Sequence, residues 1–319
     1  MKNNWENPVC DYCKNKEFRI EIDNITSWEY KGIFRIVKCT KCGLVYTSPR
    51  PKLSRIGRYY KDESYWKNIL SNKKKEDVLR TRDIDYREID DVIKNNKNKG
   101  RILDIGAGTG DFLLRYKVDG WEVEGIDLDV KAIKYAKKYF DIELKQGDFF
   151  DFEFKPNSYD VIVLNNALEH LYYPVEAINK INKILKKEGL IIVNLPNYNS
   201  FGRYLFKGNW MALQVPRHLY HFSPKILSEI FKNAGLREIK VQYNYFSQNY
   251  YILFQSFRYF ISPKFKKGEN GGMDQLDREQ NSSFKKEIGK LFFKTLSFGL
   301  VLIEQILGRG ENMIVYGKK

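Results

Sequence analysis

The chain has 319 residues and a formal net charge of +15 at pH 7. Its hydrophobic content of 43% excludes a disordered protein, and its length allows one large or two smaller domains. The basic excess lies in the segments that flank a slightly acidic stretch, residues 101–200. Such flanks suit an anionic partner, such as a phosphorylated substrate, a membrane surface or nucleic acid, and a lysine-rich solvated surface accounts for them equally well.

The start of the chain, Met1–Pro8, is polar and does not resemble a secretory signal. No stretch contains the roughly 20 uninterrupted apolar residues that a membrane-spanning helix needs. We therefore expect a cytoplasmic protein, with any membrane contact being peripheral.

The four cysteines form two C-x2-C pairs, Cys10 with Cys13 and Cys39 with Cys42. In a chain without an export signal, this spacing favours a tetrahedral four-thiolate zinc site over two disulfides. Strand-like runs lie between the two pairs, so residues 1–48 are predicted to form a zinc ribbon. Four thiolates leave no open coordination position, and the Zn²⁺ is therefore expected to be structural.

Residues 49–99 are predicted to contain a linker and a helix that covers one edge of a sheet. Arg50 lies between two prolines in an extended segment, and Tyr59 and Tyr60 follow it. The tyrosines are candidates for a lid or a substrate wall, and the alternative is a linker whose aromatic rings pack on the next domain. Helical spacing of apolar residues within Lys73–Lys94 predicts the covering helix.

Residues 101–111, RILDIGAGTGD, predict a short apolar strand, a glycine turn and the start of a helix. In this arrangement, backbone N–H groups at the start of the helix can face a ligand. The spacing differs from the dinucleotide-binding fingerprint, because the third glycine comes one residue early and Asp111 stands where that fingerprint has Gly or Ala. With Asp104 before the turn, the run resembles motif I of class I S-adenosylmethionine (SAM) methyltransferases.

Strands and helices alternate after this motif, which predicts a Rossmann-like, doubly wound α/β sheet. Further strands are predicted at 121–126, 142–145, 159–164, 190–195, 236–243 and 312–316. Helices are predicted at 111–117, 130–140, 174–187 and 224–234. The resemblance implies that the last strand is antiparallel, and that residues 100–244 and 309–319 together form the methyltransferase domain.

Acidic residues stand at the ends of three successive predicted strands, at Asp104, Asp127 and Asp148. A carboxylate at Asp127 can accept hydrogen bonds from both ribose hydroxyls of a nucleoside. The resemblance implies that Asp148 accepts a hydrogen bond from the adenine amino group and that Phe149 lies beside the adenine ring. Taken singly, each of these Asp residues is more often a turn residue or a helix cap. The expected SAM-binding residues are Asp104, Gly106, Ala107, Gly108, Gly110, Asp127, Leu128, Asp148, Phe149 and Asn165.

The three histidines lie in the two loops that are expected to face the substrate. His170 follows the fourth strand, in a sequence similar to the family's LEHL loop, and His218 and His221 lie in PRHLYHFSP after the fifth. Each imidazole is a candidate general base, because its pKa lies near neutrality. Glu169 is a further candidate catalytic residue; alternatively, His170 orients the loop, and Glu169 contacts the cofactor or fixes the turn. The H-x2-H spacing of His218 and His221 lacks the partners of a second metal site.

The PRHLYHFSP segment, the double C-x2-C and the PRP stretch with paired tyrosines resemble methyltransferases associated with sugar and cell-surface polysaccharide modification. This resemblance implies a small-molecule or glycan acceptor, such as a nucleotide sugar or a lipid-linked precursor. Arg50 and Arg217 are candidates to bind an acceptor phosphate or carboxylate, and Arg217 could instead brace its loop. Tyr59, Tyr60 and Tyr220 are the other expected substrate-binding residues.

Residues 245–308 are predicted to be an insertion before the last strand, with an aromatic run at Tyr245–Ile261, a polar stretch at Gly268–Ser283 and an apolar helix at Ile288–Leu307. Basic residues flank this helix, which suits a membrane surface, and the alternatives are a lid or a homodimer interface. Two other functions remain open. One is an RNA methyltransferase that binds RNA through the ribbon and the basic flanks, and the other is a membrane-associated methyltransferase of a lipid or quinone-like acceptor.

Overall fold

The computed structural model describes residues 4–27, 32–60, 78–79, 86–243, 246–261 and 284–319. Its strands are β1 (Trp5–Glu6), β2 (Phe18–Thr26), β3 (Ile33–Cys39), β4 (Val45–Thr47), β5 (Arg50–Pro51), β6 (Arg101–Ile105), β7 (Glu122–Asp127), β8 (Leu144–Gln146), β9 (Tyr159–Asn165), β10 (Leu185–Pro196), β11 (Tyr220–His221), β12 (Arg237–Gln242) and β13 (Asn312–Lys318). Its α-helices are α1 (Leu53–Ile56), α2 (Arg87–Asn96), α3 (Asp111–Val118), α4 (Val130–Tyr135), α5 (Pro174–Ile184), α6 (Phe201–Phe206), α7 (Pro224–Asn233), α8 (Phe246–Ile261) and α9 (Phe284–Leu307). The predicted polar stretch Gly268–Ser283 and most of the first half of the predicted helix Lys73–Lys94 lie outside the described residues.

The chain divides into two compact units, each assembled from separated segments. The cysteine unit consists of Met1–Asn68, Pro196–Ile226 and Tyr243–Met313. The Rossmann-like unit consists of Ile69–Leu195, Leu227–Gln242 and Ile314–Lys319. This division differs from the predicted domain boundaries, because the histidine loop after β10 and the predicted insertion belong to the same unit as the N-terminal cysteines.

The Rossmann-like unit is built on a seven-stranded sheet in the order β12-β13-β10-β9-β6-β7-β8. Strands β6 to β10 run parallel, and β12 pairs antiparallel with β13, which confirms the predicted fold class. The central strands are continuous apolar runs, and Val161–Leu164 of β9 and Leu190–Val193 of β10 are fully buried. Such runs are typical of parallel strands that are covered on both faces.

Helix α5 ends earlier than the sequence predicts. It begins at Pro174, whose fixed φ suits the first helical turn. It ends at Ile184 rather than Lys187, because Leu185 takes an extended conformation and pairs with Tyr159 at the start of β10. The register then shifts between Leu185 and Leu190, so the end of the predicted helix and the residues that follow it lie within β10.

The cysteine unit contains a four-stranded antiparallel sheet in the order β11-β4-β3-β2. The two strands predicted between the cysteine pairs are present as β2 and β3. Strand β11 comes from the histidine loop and joins the sheet through the pairs Tyr220 with Tyr46 and His221 with Val45. A separate two-stranded sheet joins β1 to β5.

Helices α8 and α9 complete the core of the cysteine unit. Ile252 and Leu253 of α8 and Val301 of α9 share a buried apolar cluster with Phe34 and Ile36 of the sheet. The aromatic run of the predicted insertion is thus helical as α8, and the predicted apolar helix is present as α9, which begins four residues before its predicted start. In the parts of the chain that the structure describes, no helix combines the length and the apolar character needed to cross a bilayer.

Candidate functional site

The glycine turn after β6 depends on backbone conformations that L-residues rarely adopt. Gly106, Gly108 and Gly110 have φ values of +81°, +53° and +76°. A side chain at Gly106 would come within 2.9 Å of the Ala167 side chain, whereas the space beside Gly108 is open to 4 Å. The turn therefore offers bare backbone at the carboxyl end of the central strand, where open α/β sheets bind their ligands.

Asp127 ends β7 and directs its carboxylate at the glycine turn. It accepts hydrogen bonds from the backbone N–H of Gly108 at 2.7 Å and from that of Asp129 at 2.8 Å. Burial raises the pKa of Asp127 above its usual value, although these two N–H groups favour the charged form. Asp104 is buried at the end of the neighbouring strand β6, with Ala107 buried in the turn.

The two residues after β8 have clear structural roles. The Asp148 carboxylate accepts from the N–H of Phe150 at 2.9 Å, and Asp151 accepts from the N–H of Asp148 at 2.8 Å, which caps a short 3₁₀ turn. The Phe149 ring is buried 5.5 Å from the Phe154 ring. These contacts correspond to the helix-cap alternative, and contact of either residue with adenine stays a prediction. Leu128, by contrast, is 63% exposed beside Asp127.

A pair of asparagines lies at the carboxyl ends of β9 and β10. Asn194 is fully buried and donates its Nδ2 to Asn165 Oδ1 at 2.6 Å. The Asn165 amide oxygen is thereby engaged, and Asn166 Nδ2 also donates to it at 3.4 Å. Contact of Asn165 with SAM stays a prediction. Asn165 was expected in the cofactor site and Asn194 was not. The sequence feature that points to Asn194 is its position as a polar residue inside the apolar run Leu190–Leu195.

Glu169 and His170 lie on a 3₁₀ turn after β9. Glu169 is buried, and burial raises the pKa of its carboxyl to about 8, so the group is mostly protonated at neutral pH. A protonated carboxyl donates a hydrogen bond and does not remove a proton. His170 is half-buried, and its backbone N–H donates to the carbonyl of Ala167 at 3.1 Å.

His218 is buried in the cysteine unit with one ring nitrogen fixed. Its Nδ1 lies 2.9 Å from the backbone carbonyl of Ala212. Because a carbonyl only accepts hydrogen bonds, Nδ1 carries a proton. In the neutral ring, Nε2 then presents a lone pair, which is the form that a general base requires.

His221 is hydrogen-bonded through its Nε2 atom to the hydroxyl of Thr47. The Thr47 hydroxyl donates its single proton to the carbonyl of His218 at 2.8 Å, so it accepts from His221 Nε2 at 3.2 Å. Burial lowers the pKa of His221 to about 3, and the charge of Arg203 acts in the same direction. The Thr47 contact and the burial of the ring give His221 a structural role, and catalysis by His221 stays a prediction.

The arginines expected to bind substrate are held by protein groups. Arg50 is buried, and it donates to Glu6 at 2.7 Å and to the Tyr220 hydroxyl at 3.0 Å. Arg50 and Tyr220 therefore brace the interior of the cysteine unit, and their contact with substrate stays a prediction. Arg217 donates to Gln214 at 2.8 Å, as expected if it braces its own loop.

The paired tyrosines lie in a 3₁₀ turn, Gly57–Tyr60. The Tyr59 ring is 6.3 Å from that of Trp5, and Tyr60 is exposed. Tyr59 therefore packs on an aromatic ring of its own unit rather than on the next domain, and it is less exposed than Tyr60. Substrate binding by these residues stays a prediction.

The four cysteines converge, as their spacing predicts. Their sulfurs all lie within 4.8 Å of one another, with Cys10 and Cys42 at 3.4 Å and Cys13 and Cys39 at 3.5 Å, and no disulfide joins them. Burial raises the pKa of Cys39, but the N–H groups of Cys42 and Lys41 outweigh it and lower the pKa to about 6. Four soft sulfur donors with backbone N–H support have the chemistry of a thiolate metal site.

Comparison with known proteins agrees with this architecture. A family model described as a methyltransferase domain matches residues 79–241, about half of the chain. An uncharacterized protein of Methanocaldococcus jannaschii is 26% identical over 167 residues, which are 52% of this chain and 78% of that protein. A ubiquinone biosynthesis O-methyltransferase of Nitrosomonas europaea is 27% identical over 165 residues, 47% of this chain and 68% of that protein.

Among solved structures, a SAM-dependent methyltransferase from Archaeoglobus fulgidus aligns with a TM-score of 0.49 and 18% identity. The alignment covers 81% of this chain and 100% of that one.

Proposed function

The chain belongs to the methyltransferase domain family, and from that premise we propose that it transfers a methyl group from SAM to a hydroxyl of a small-molecule or glycan acceptor. When bound, SAM supplies an electrophilic methyl group on a sulfonium sulfur. The protein must then hold the nucleoside, position the acceptor and take up the acceptor proton.

Residues of the Rossmann-like unit fit the SAM nucleoside. The Asp127 carboxylate suits the two ribose hydroxyls, and the open space beside Gly108 admits a ligand close to the backbone. The exposed side chain of Leu128 suits contact with the adenine ring.

The observation that carries the proposed acceptor chemistry is the state of His218. Its Nδ1 lies 2.9 Å from the Ala212 carbonyl and therefore carries the proton, so Nε2 is the unprotonated nitrogen of the neutral ring, which is the tautomer that a base at Nε2 requires. His170 is the second candidate base. The O-methyltransferase name of the Nitrosomonas europaea relative supports a hydroxyl acceptor, and the PRHLYHFSP and PRP segments support the glycan class.

We also propose that the four cysteines hold a structural Zn²⁺. Zinc–thiolate bonds of about 2.3 Å in a tetrahedron separate the sulfurs by about 3.8 Å, which is close to the distances within the cluster. With four protein ligands the ion has no open position, so its role is to hold the start of the chain together.

A transfer assay with radiolabelled SAM tests the acceptor class. We expect label in nucleotide sugars, lipid-linked glycans or phenolic quinone precursors, and none in bulk RNA. Label in RNA alone would contradict the proposal.

The base is tested with His218→Gln and His170→Gln. Loss of the base should lower kcat and remove the fall in rate at acid pH, while SAM affinity measured by calorimetry stays unchanged. If both variants keep the wild-type pH profile, proton removal by these histidines is wrong.

A further inference from the structure

The outward face of helix α9 is apolar. Its exposed side chains are Leu296, Phe298, Leu302, Ile303, Ile306 and Leu307, which we call the α9 face. Their spacing places them on one side of the helix, while Ser297, Val301 and Glu304 on the opposite side are fully buried. The helix therefore packs on the cysteine unit through a side that carries both polar and apolar residues, and it presents its more hydrophobic side outward.

The exposure of this face is large for a water-facing helix. Ile306 is 84% exposed, and the only charged residue from 295 to 308 is the buried Glu304. Soluble monomers rarely expose contiguous apolar patches larger than a few hundred Å², and larger patches mark a docking surface.

Cationic and aromatic groups lie at the end of the α9 face. The guanidinium of exposed Arg309 is 5.9 Å from the ring of Tyr204, which is also exposed. Leu205 on α6 and Lys207 in the turn after α6 are exposed as well. Tyrosine and long basic side chains beside apolar ones are characteristic of residues at a lipid–water boundary.

The sequence at the other end of α9 is basic as well. Lys285, Lys286, Lys290 and Lys294 precede the exposed segment, with Glu287 as the one acidic residue among them. The apolar stretch thus has positive charge on both sides. A second copy would carry the same basic sequence before and after its own apolar stretch, and repulsion between like charges disfavours self-association through this segment. Anionic lipid headgroups complement both ends.

We propose that the α9 face lies on the surface of an anionic membrane, with its apolar side chains among the acyl chains and the flanking cations at the headgroups. The proposal does not rest on the identity of the methyl acceptor. Membrane binding is measured without any methyl transfer, so its failure and that of the proposed function are separable.

Co-sedimentation with sucrose-loaded vesicles tests the proposal on the full chain. Wild-type protein should bind vesicles of phosphatidylcholine with phosphatidylglycerol about tenfold more tightly than vesicles of phosphatidylcholine alone, and added salt should weaken binding. Ile306→Asp should reduce binding by about tenfold, because the carboxylate cannot enter the apolar boundary.

Val118→Asp is the matched control, because it places the same charge at a 56% exposed aliphatic residue of the Rossmann-like unit. It should bind vesicles like the wild type, and equal melting temperatures show that both variants fold. Equal binding by Ile306→Asp and the wild type, or no binding to anionic vesicles, would overturn the proposal. A dimer in sedimentation velocity that Ile306→Asp dissociates, without vesicle binding, would assign the face to a second copy instead.

Discussion

Thr47 connects the cysteine-bearing sheet to both histidines of the loop at 216–221. Its backbone N–H donates to Leu219 at 2.9 Å, and its hydroxyl joins the His218 carbonyl to His221 Nε2. All of these groups are buried, so the hydroxyl satisfies two polar groups that cannot reach water. We regard Thr47 as a positioning residue for His218.

Thr47→Val keeps the shape of the side chain and removes the hydroxyl. Leaving the His218 carbonyl and His221 Nε2 without this partner should cost about 1–3 kcal/mol in the free energy of unfolding, and kcat should fall. Thr47→Ser should restore both, because it keeps the hydroxyl. SAM affinity, measured by calorimetry, should not change in either variant. If Thr47→Val and Thr47→Ser have the same stability and kcat, the hydroxyl does not act as the bridge.

Asp127 is the residue on which SAM affinity should depend most. Asp127→Ala removes a carboxylate that would accept two ribose hydroxyls, and charge-assisted hydrogen bonds contribute about 1.5–3 kcal/mol each. We therefore expect calorimetry to show at least about a tenfold rise in Kd for SAM. Asp141→Ala, which removes an exposed carboxylate of the same unit, is the control and should keep the wild-type Kd. Unchanged affinity in Asp127→Ala would contradict the assignment.

For single residues, the sequence predicted the place along the fold better than it predicted the hydrogen-bond partners. Asp127 and the glycine turn follow from local strand ends, so their place was predictable. The partners of Arg50 were not, because Glu6 reaches it only through the β1–β5 pairing. Thr47 was overlooked for the same reason, since its partners are more than 170 residues away in sequence.

At the scale of elements, helix α9 and the residue before β13 each place a buried carboxyl inside the cysteine unit. Glu311 accepts from the N–H of Gly202 at 2.7 Å and from Trp210 Nε1, and Glu304 lies close enough for the two carboxyls to interact electrostatically. Burial raises the pKa of Glu304 to about 11, and the proximity of Glu311 acts in the same direction. The protonated form of Glu304 is therefore favoured at neutral pH.

This pair should make stability depend on pH. Because the pKa of Glu304 is higher in the folded state than in the unfolded chain, the folded state holds more protons between pH of about 4.3 and about 11. The free energy of unfolding should therefore fall as pH rises through this window. Glu304→Gln keeps a donor to Glu311 without a titratable proton, so it should flatten the dependence and raise the melting temperature at pH 8.

Thermal unfolding from pH 5 to pH 9 measures this effect. Glu176→Gln, at an exposed position of α5, is the control and should keep the wild-type slope. A Glu304→Gln variant with the wild-type slope would show that the pair does not govern the pH dependence.

The elements that the sequence predicted well are those with a strong local period. The buried runs of β9 and β10 and the apolar helix α9 were predicted to within a few residues of their observed bounds. Strand β11 was not predicted, because two residues have no period and its strand conformation depends on pairing with β4. The early end of α5 was also unpredictable, since the pairing of Leu185 with Tyr159 overrides the helical pattern.

At the scale of the whole molecule, the two compact units are each built from separated segments and group the chain differently from the predicted domains. The sequence pattern identified the Rossmann-like sheet, because alternating strands and helices are a local signature. It assigned the cysteines, the histidine loop and the helical insertion to three different regions. Their union in one unit rests on the β4–β11 pairing and on the apolar cluster that α8 and α9 share with the sheet, and neither contact has a local signal.

This arrangement predicts what removal of the proposed Zn²⁺ would do. Cys39 ends β3, and Cys42 lies before β4, the strand that pairs with β11 and holds His218 through Thr47. Loss of the ion should therefore loosen the histidine loop as well as the N-terminal residues, because both belong to one sheet. The proposed SAM-binding residues, which lie in the other unit, include none of these.

Treatment with a strong chelator should abolish methyl transfer while SAM still binds with its original Kd in calorimetry. Hydrogen exchange should rise at residues 217–221 together with residues 33–47, and remain unchanged at 101–111. Re-addition of Zn²⁺ should reverse both effects, whereas Mg²⁺ should not, because thiolates bind the softer ion. If residues 217–221 stay protected from hydrogen exchange after chelation, the loop is held by its own packing. The cysteines would then stabilise only the N-terminal residues.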